Sequence, residues 1–254
     1  MLRDRGRSAA CILRGVPVRR RLLRTLLALL VAGAGAAAES PGVDAAESPS
    51  KLASVALSDA RASGSVHVSE TLTTDSGKVT LVADVGIDEG RSKTELSYAT
   101  IDVIQLGDVA YARSSTAAGL VQFIGWKPRL AQPYAGRWVR YTRASRAFAN
   151  LTSDSTLPAA LSTLALHGVL RTASAPVELG GQRASAITGK LPPMAPFSQI
   201  VLDVTQSARP LPLREVQTGA GKLSEVTVLS DWGEHLAFKA PPGAVTLQGV
   251  SSPS

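Results

Sequence analysis

Apolar and polar residues alternate over two long stretches of the chain, the first of which begins at residue 65. Three runs in this stretch place apolar side chains on one face, at Val66, Val68 and Leu72, then at Val79, Leu81 and Val85, and then at Leu96. Two further runs lie at 101–106 and 109–112. Short alternating runs separated by turns that contain Gly and Asp predict an antiparallel meander.

The second stretch begins at residue 175 and predicts a second meander. Its runs lie at 175–179, 183–190, 200–206, 211–218 and 225–230, with a last piece near Phe238. Gly180-Gly181 and the segment 218–221 lie between runs and are typical of hairpin turns.

Helical spacing is found before and between the two meanders. The predicted helices are 51–62, capped by Ser50 and ended by Gly64, then 142–151, then a helix that starts at Ser155 or Thr156 and stops at Gly168. In the last of these, Leu157, Leu161 and Leu164 share one face because they follow the spacing i, i+4, i+7.

This order of elements predicts an α+β fold. We expect a curled antiparallel β-sheet, a half-barrel, of about 9–11 strands with helices on its concave face, since open sheets of that size curl. Such an arrangement leaves an apolar space between the helices and the sheet.

The first 38 residues have the three regions of an export signal. Residues 19–24 are basic, residues 25–31 are apolar, and small residues lead to Ala36-Ala37-Ala38. The apolar core is too short to cross a bilayer, and small residues at alternate positions mark a cleavage site. We therefore expect cleavage near Ala38 and an extracytoplasmic protein, secreted or associated with the cell envelope. An uncleaved anchor is the alternative, and both the general and the twin-arginine export routes stay open.

The mature part predicts one domain. Residues 39–50 are typical of a disordered linker, residues 51–245 hold the predicted elements, and 246–254 form a flexible tail. Removal of 1–38 takes away Cys11, the single cysteine, and leaves 19 basic and 19 acidic residues of the chain's 27 and 20. A neutral, extracytoplasmic domain argues against a nucleic-acid partner, and we expect a monomer.

Candidate catalytic and metal-binding residues are isolated in the sequence. His67, His167 and His235 lie far apart and fit no metal spacing. Asp88-Glu89 is in a turn, and Asp231-Trp232 is typical of a structural strand end. We therefore expect a protein that is not an enzyme, with no catalytic residue, no cofactor and no metal site, although convergence of distant histidines in the fold stays open.

One charge asymmetry remains after the leader is removed. Between Asp108 and Asp154 the sequence has no acidic residue, and its basic residues are Arg113, Lys127, Arg129, Arg137, Arg140, Arg143 and Arg146. A basic segment that contains aromatic residues suits anionic lipid headgroups or an anionic membrane surface. An ordinary solvated face is the alternative.

Several ordered segments carry a resemblance to a known family. They are residues 64–68 after the opening helix, 107–111, 136–139, and 229–233 followed by 240–242. In this order they resemble the LolA/LppX-like superfamily of extracytoplasmic lipid-carrier domains, most of all its actinobacterial LppX- and LprG-like branch. The resemblance implies a half-barrel of antiparallel strands around helices and a hydrophobic cavity for acyl chains or lipoproteins. Many members have a lipidated cysteine at the mature N-terminus, whereas this chain has Glu39 there, which puts membrane tethering in doubt.

Two functional hypotheses follow. The first is a secreted, non-enzymatic protein whose apolar cavity binds a lipid or other amphiphile, with lipid transport across the cell envelope as its role. The cavity lining would be Val66, Val68, Leu72, Val79, Leu81, Val85, Leu96, Leu161 and Leu164, with Arg137, Arg140 or Arg143 holding an anionic head. Plain core packing is the alternative for each aliphatic residue. The second hypothesis is a protein-interaction or sensing module of the cell envelope with a closed core. The two differ in cavity volume.

Overall fold

A capped helix opens the part of the chain that the structure describes. The structure is a computed structural model that describes residues 48–164, 166, 168–190 and 196–246, so the predicted leader, Cys11 and His167 lie outside the described residues. Helix α1 spans Pro49–Ser63, and the Ser48 hydroxyl accepts a hydrogen bond from the Lys51 amide at 3.3 Å. The helix starts before its predicted first residue because Pro49 suits the first helical position.

The described residues form thirteen strands, four further short α-helices, a π-helix (Leu120–Ile124) and a 3-10 helix (Gln132–Tyr134). The first meander consists of β1 (Ser65–Thr74), β2 (Gly77–Gly86), β3 (Glu89–Leu96), β4 (Ala99–Leu106) and β5 (Val109–Ser114). The middle part contains α2 (Ala117–Gly119), α3 (Pro128–Ala131), β6 (Val139–Thr142), α4 (Arg146–Leu151) and α5 (Leu157–Thr163). The second meander consists of β7 (Arg171–Thr172), β8 (Val177–Leu179), β9 (Gln182–Lys190), β10 (Phe197–Thr205), β11 (Pro212–Gly219), β12 (Ser224–Ser230) and β13 (Val245–Thr246).

All thirteen strands belong to one sheet. Its order is β13-β6-β5-β4-β3-β2-β1-β12-β11-β10-β9-β7, with β8 paired to β9. The two meanders join where β1 pairs with β12, and each strand pair is antiparallel except β13 with β6. The sheet does not close and forms a curled half-barrel, so the predicted α+β fold class is confirmed.

The strand count exceeds the predicted range because of very short strands. β7 and β13 have two residues each, too few to show alternation in a sequence. Phe238, where a last strand was expected, lies outside the strands. The predicted helix at 142–151 is shorter, since Thr142 ends β6 and the Ser145 hydroxyl caps α4 by accepting a hydrogen bond from the Phe148 amide at 3.2 Å.

The helices pack on one face of the sheet, and three apolar clusters lie beneath them. α4 contributes Phe148 and Leu151 to a cluster on β4, β5 and β6. α5 covers β1 and β2, and α1 places Ala53 and Ala56 against β9 and β10. Each buried Leu or Phe side chain contributes roughly 1.5–3 kcal/mol, so these contacts fix the helices on the sheet. Within the described residues, none of the helices has the length and apolarity required to cross a membrane.

Gly90 lets the link between α4 and α5 approach the sheet closely. A Cβ atom at this position in β3 would lie 2.1 Å from the backbone oxygen of Ser155. Ser155 is buried, and its hydroxyl donates a hydrogen bond to the Leu151 carbonyl at 3.2 Å. The missing side chain of Gly90 therefore sets where α5 begins relative to the sheet.

Candidate ligand-binding site

Aliphatic side chains fill the space between the middle of the sheet and α5. This central cluster consists of Ala60, Val66, Val68, Ala83, Val85, Leu157, Leu161, Leu164 and Leu229. Val66 of β1 lies directly opposite Val85 of β2, and Val68 lies opposite both Ala83 and Leu229. The structure thus brings together five of the predicted lining residues: Val66, Val68, Val85, Leu161 and Leu164.

The other predicted aliphatic residues are Leu72, Val79, Leu81 and Leu96, which lie outside the buried set of the central cluster. Leu81 is half-buried and packs against the central cluster. Leu72 and Val79 are opposite each other on β1 and β2 and are also half-buried. Leu96 belongs with the neighbouring cluster beneath α4. The predicted lining is therefore divided between two clusters.

The three predicted headgroup residues lie in different environments. Arg143 is exposed, and its Nη2 lies 2.8 Å from Asp108 Oδ1. Arg140 alternates with the buried Val139 on β6, so it lies on the face opposite the helices. Arg137 is exposed, and its guanidinium carbon is 5.7 Å from the Tyr134 ring centre. Of the three, Arg143 alone lines one of the two grooves described below.

A groove of about 700 Å³, which we call the end groove, opens where two turns of the sheet meet α4 and the start of α5. Its lining is Ile87, Asp88, Gln105, Gly107, Asp108, Arg143, Phe148, Thr152 and Thr156. Two of its lining residues, Ile87 and Thr156, are close in sequence to Val85 and Leu157 of the central cluster. Its walls combine apolar side chains with charged and hydroxyl groups, a mixture that suits an amphiphilic ligand.

Gln105 supplies a buried hydrogen-bond acceptor to the end groove. The residue is 7% exposed, and its Nε2 donates to the Gly107 carbonyl at 3.1 Å. Its Oε1 is buried and accepts no hydrogen bond from the described residues. A buried acceptor without a donor lowers the stability of the fold.

A second groove of about 480 Å³ lies between α1 and the loop after β10. Leu52 and Val55 form its apolar wall, and Thr205, Gln206 and Ser207 form its polar wall. This groove contains none of the predicted ligand-binding residues.

The two described histidines, His67 and His235, line neither groove. His67 lies on the face opposite the helices, and its Nδ1 is 2.6 Å from Asp84 Oδ1. His235 is exposed. Within the described residues, no group of three or more His, Cys, Asp or Glu side chains is arranged to hold a metal ion.

The sequence did not predict a polar strip on the helix-facing side of β11 and β12. Glu215, Gln217, Glu225 and Thr227 are all at most 7% exposed, and they share this face with Leu229. Gln217 donates a hydrogen bond to Glu215. The valine Val228 lies on the opposite face and is 43% exposed. The sequence does contain a hint of this strip: Glu225 and Thr227 are at alternate positions before the apolar Leu229, so all three side chains lie on the same face of β12.

Trp232 closes one side of the central cluster. Its ring packs against the cluster, and its Nε1 donates to the Pro212 carbonyl at 3.1 Å. Asp231 adopts a φ of 53° and accepts a hydrogen bond from the Ser230 hydroxyl at 2.9 Å. Trp232 thus packs at the end of β12, where a structural role for Asp231-Trp232 was expected.

This architecture is also found in proteins of known structure. No family model and no curated protein matches the sequence. The structure is similar to LprF from Mycobacterium bovis, with 14% identity and a TM-score of 0.50, over 77% of this chain and 97% of that one. The lipoprotein LppX of Mycobacterium tuberculosis gives 16% identity and a TM-score of 0.46, over 73% of this chain and 97% of that one.

A putative outer membrane lipoprotein-sorting protein domain from Vibrio parahaemolyticus gives 10% identity and a TM-score of 0.26, over 70% of this chain and 92% of that one. Such low identities concern the fold alone. At that level the comparison agrees with the resemblance inferred from the sequence segments: this chain shares the fold of LprF.

Proposed function

We propose that this protein is a secreted, non-enzymatic binding protein that holds a lipid or other amphiphile between the concave face of its sheet and α5. The observation that carries the proposal is the end groove, whose lining residues Ile87 and Thr156 are close in sequence to members of the central cluster. The chain thus combines an aliphatic cluster with a groove that offers hydrogen-bonding groups. This is the distribution that an acyl chain with a polar head requires.

The helix that covers the central cluster is short, so a small outward movement of it would open space above the sheet. α5 has seven residues, and a helix of that length is marginal in water without packing partners. An acyl chain between the sheet and α5 would contact Val66, Val68 and Val85 on one side and Leu157, Leu161 and Leu164 on the other. The contacts that these two sets now make with each other would be replaced by contacts with the chain, so both sets would stay buried.

The polar end of the amphiphile belongs in the end groove. Arg143 supplies donors there, Asp108 supplies acceptors, and Gln105 adds its buried Oε1. In this arrangement Arg143 keeps the headgroup role expected from the sequence. Arg137 and Arg140 lie away from the end groove, and their contribution would be to the outer surface.

A second candidate is an interaction or sensing module with a closed core. The observation that favours it is the burial of the central cluster, where Val66, Val85, Leu157, Leu161 and Leu164 are each at most 1% exposed. In this case the helix leucines are permanent core residues, and no amphiphile enters.

The cellular setting is part of the same proposal. The leader at 1–38 supports an extracytoplasmic location, and the domain would extend over 51–245 between a linker and a tail. Transport of lipid across the cell envelope, and contact with an anionic membrane, would be the role of such a carrier.

The test is binding of a dansyl-labelled fatty acid to the mature protein, residues 39–254. Wild-type protein is expected to bind the probe saturably with increased fluorescence. Leu161→Gln places an amide among the aliphatic side chains of the central cluster. Because a buried amide without hydrogen-bond partners costs about 1–3 kcal/mol, this variant is expected to bind the probe at least about tenfold more weakly. Ser162→Gln, an exposed neighbour on the same helix, is the matched control and should bind as wild type.

Thermal unfolding of each variant separates loss of binding from loss of fold. If Leu161→Gln does not fold, the milder Ala160→Ser, at a partly buried position that packs against the central cluster, takes its place. Absence of saturable binding by folded wild-type protein would contradict the carrier function and favour the closed module.

A further inference from the structure

We infer that the connection preceding β6 carries a docking surface for an anionic membrane, formed by Lys127, Arg129, Leu130 and Arg137. All four side chains are exposed. We call these four residues the basic surface. It is where the carrier would meet a bilayer, and this role rests on the proposed function. Its residues are distinct from those that line the end groove.

The three cations of the basic surface have no carboxylate partner among the described residues, in contrast to their neighbours. Arg113 pairs with Asp102 at 2.9 Å, and Arg143 pairs with Asp108 at 2.8 Å. No described carboxylate lies within 4.0 Å of the charged groups of Lys127, Arg129 or Arg137. Unneutralised cations on a mature chain with equal numbers of basic and acidic residues produce a local field, which orients the protein toward an anionic surface.

Aromatic contacts hold this segment on the domain. The Trp126 and Tyr134 ring centres are 5.1 Å apart in an edge-to-face arrangement, and Trp126 is buried. Arg137 stacks over Tyr134, and its amide donates to the Tyr134 carbonyl at 3.1 Å. The basic side chains therefore extend from an anchored segment, so little conformational entropy is lost when they meet a surface.

Leu130 adds an apolar group between the cations. It is 39% exposed and lies on α3, whose next residue, Ala131, is fully buried. The Leu130 amide donates to the Lys127 carbonyl at 2.9 Å, which keeps the leucine beside the lysine. An exposed leucine flanked by basic side chains fits the boundary between headgroups and acyl chains, where apolar burial adds to charge attraction. A purely acidic protein partner would use the charges but not this leucine.

The test is co-sedimentation of mature protein with vesicles of phosphatidylglycerol and phosphatidylcholine, compared with vesicles of phosphatidylcholine alone. We expect binding to the anionic vesicles that falls as salt is raised. The variant Lys127→Gln/Arg129→Gln/Arg137→Gln should bind at least about tenfold more weakly, because each basic residue near such a surface contributes about fivefold. Leu130→Ser should weaken binding by about threefold or more.

The matched control is Lys78→Gln/Lys222→Gln/Lys239→Gln, which removes three exposed charges elsewhere and should retain binding. The dansyl-labelled fatty acid should bind the basic-surface variant as it binds wild type, so a failed carrier function and a failed docking surface give different results. The inference is overturned if wild-type protein does not bind the anionic vesicles, if neutral vesicles bind it equally, or if both triple variants lose binding to the same extent. Unchanged binding by Leu130→Ser to the anionic vesicles would overturn the inclusion of the leucine in the docking surface.

Discussion

At the scale of single residues, Gly90 couples the sheet to the helices that cover it. Gly90→Ala would push a methyl group into the Ser155 backbone, and we expect a loss of about 1–3 kcal/mol in the free energy of unfolding. Gly86→Ala is the matched control, since its nearest neighbours would be 3.5 Å away in ordinary contact. Urea unfolding of both variants is the measurement. An equal effect of the two changes would show that the close approach at Gly90 does not position α5.

Tyr141, a buried member of the cluster beneath α4, makes the stability of the fold depend on pH. Burial raises the pKa of the Tyr141 phenol, and the nearby Trp126 indole offsets this only in part. The Tyr141 phenol therefore loses its proton at about pH 10 in the unfolded chain but keeps it at that pH in the folded protein. The folded state is thus fully stable below about pH 10, and its free energy of unfolding falls as the pH rises further. The expected loss is up to about 1.4 kcal/mol per pH unit.

Urea unfolding between neutral pH and strongly alkaline pH measures this loss. Tyr141→Phe should reduce the loss without abolishing it, because burial also raises the pKa of Tyr98. Tyr111→Phe, on the opposite face of the sheet, is the control and should keep the full pH dependence. A wild-type protein whose stability does not change above pH 10 or so would contradict the burial of Tyr141.

At the scale of elements, the β11–β12 hairpin places polar side chains inward and valines outward. Thr227 lies directly opposite both Glu70 and Glu215, so Thr227→Asp would put three carboxylates in one row. Like charges opposite one another in a sheet repel, and burial strengthens the repulsion. We expect a loss of about 2 kcal/mol or more at neutral pH, which diminishes as the pH is lowered.

Val228→Asp changes the next residue of the same strand and is the control. Its side chain is on the exposed face, so a loss within about 1 kcal/mol is expected from strand propensity. If Val228→Asp were the more destabilising change in urea unfolding, the assignment of faces in this hairpin would be wrong.

Element prediction from the sequence succeeded where a pattern was long and failed where it was short or ambiguous. The ten-residue strands β1 and β2 and the leucine spacing of α5 follow from alternation and helical period. The two-residue strands have no period to read. The face of β12 was ambiguous because Glu225, Thr227 and Leu229 alternate just as regularly as Val226 and Val228, and burial of the polar set depends on contacts with distant strands.

At the scale of the whole molecule, the order of elements was sufficient to predict a curled antiparallel sheet with helices on one face. The central cluster was also predictable, since its members alternate within strands or repeat within a helix. The end groove was not, because Gln105, Phe148 and Thr156 come from parts of the chain that only the three-dimensional fold brings together. Arg140 and Arg143 are separated because Arg140 lies within β6, on the face opposite the buried Val139, whereas Arg143 follows the end of the strand.

The most direct test of the central claim is native mass spectrometry of residues 39–254, purified without detergent from the protein's own secretion route. Spectra of native and denatured protein would be compared, and solvent extracts of the protein would be analysed for lipid. The account predicts a reproducible adduct of lipid mass on the native protein that denaturation releases into the extract. A single bare mass that stays unchanged after incubation with membrane lipids would contradict it, and α5 would then be a permanent part of a closed core.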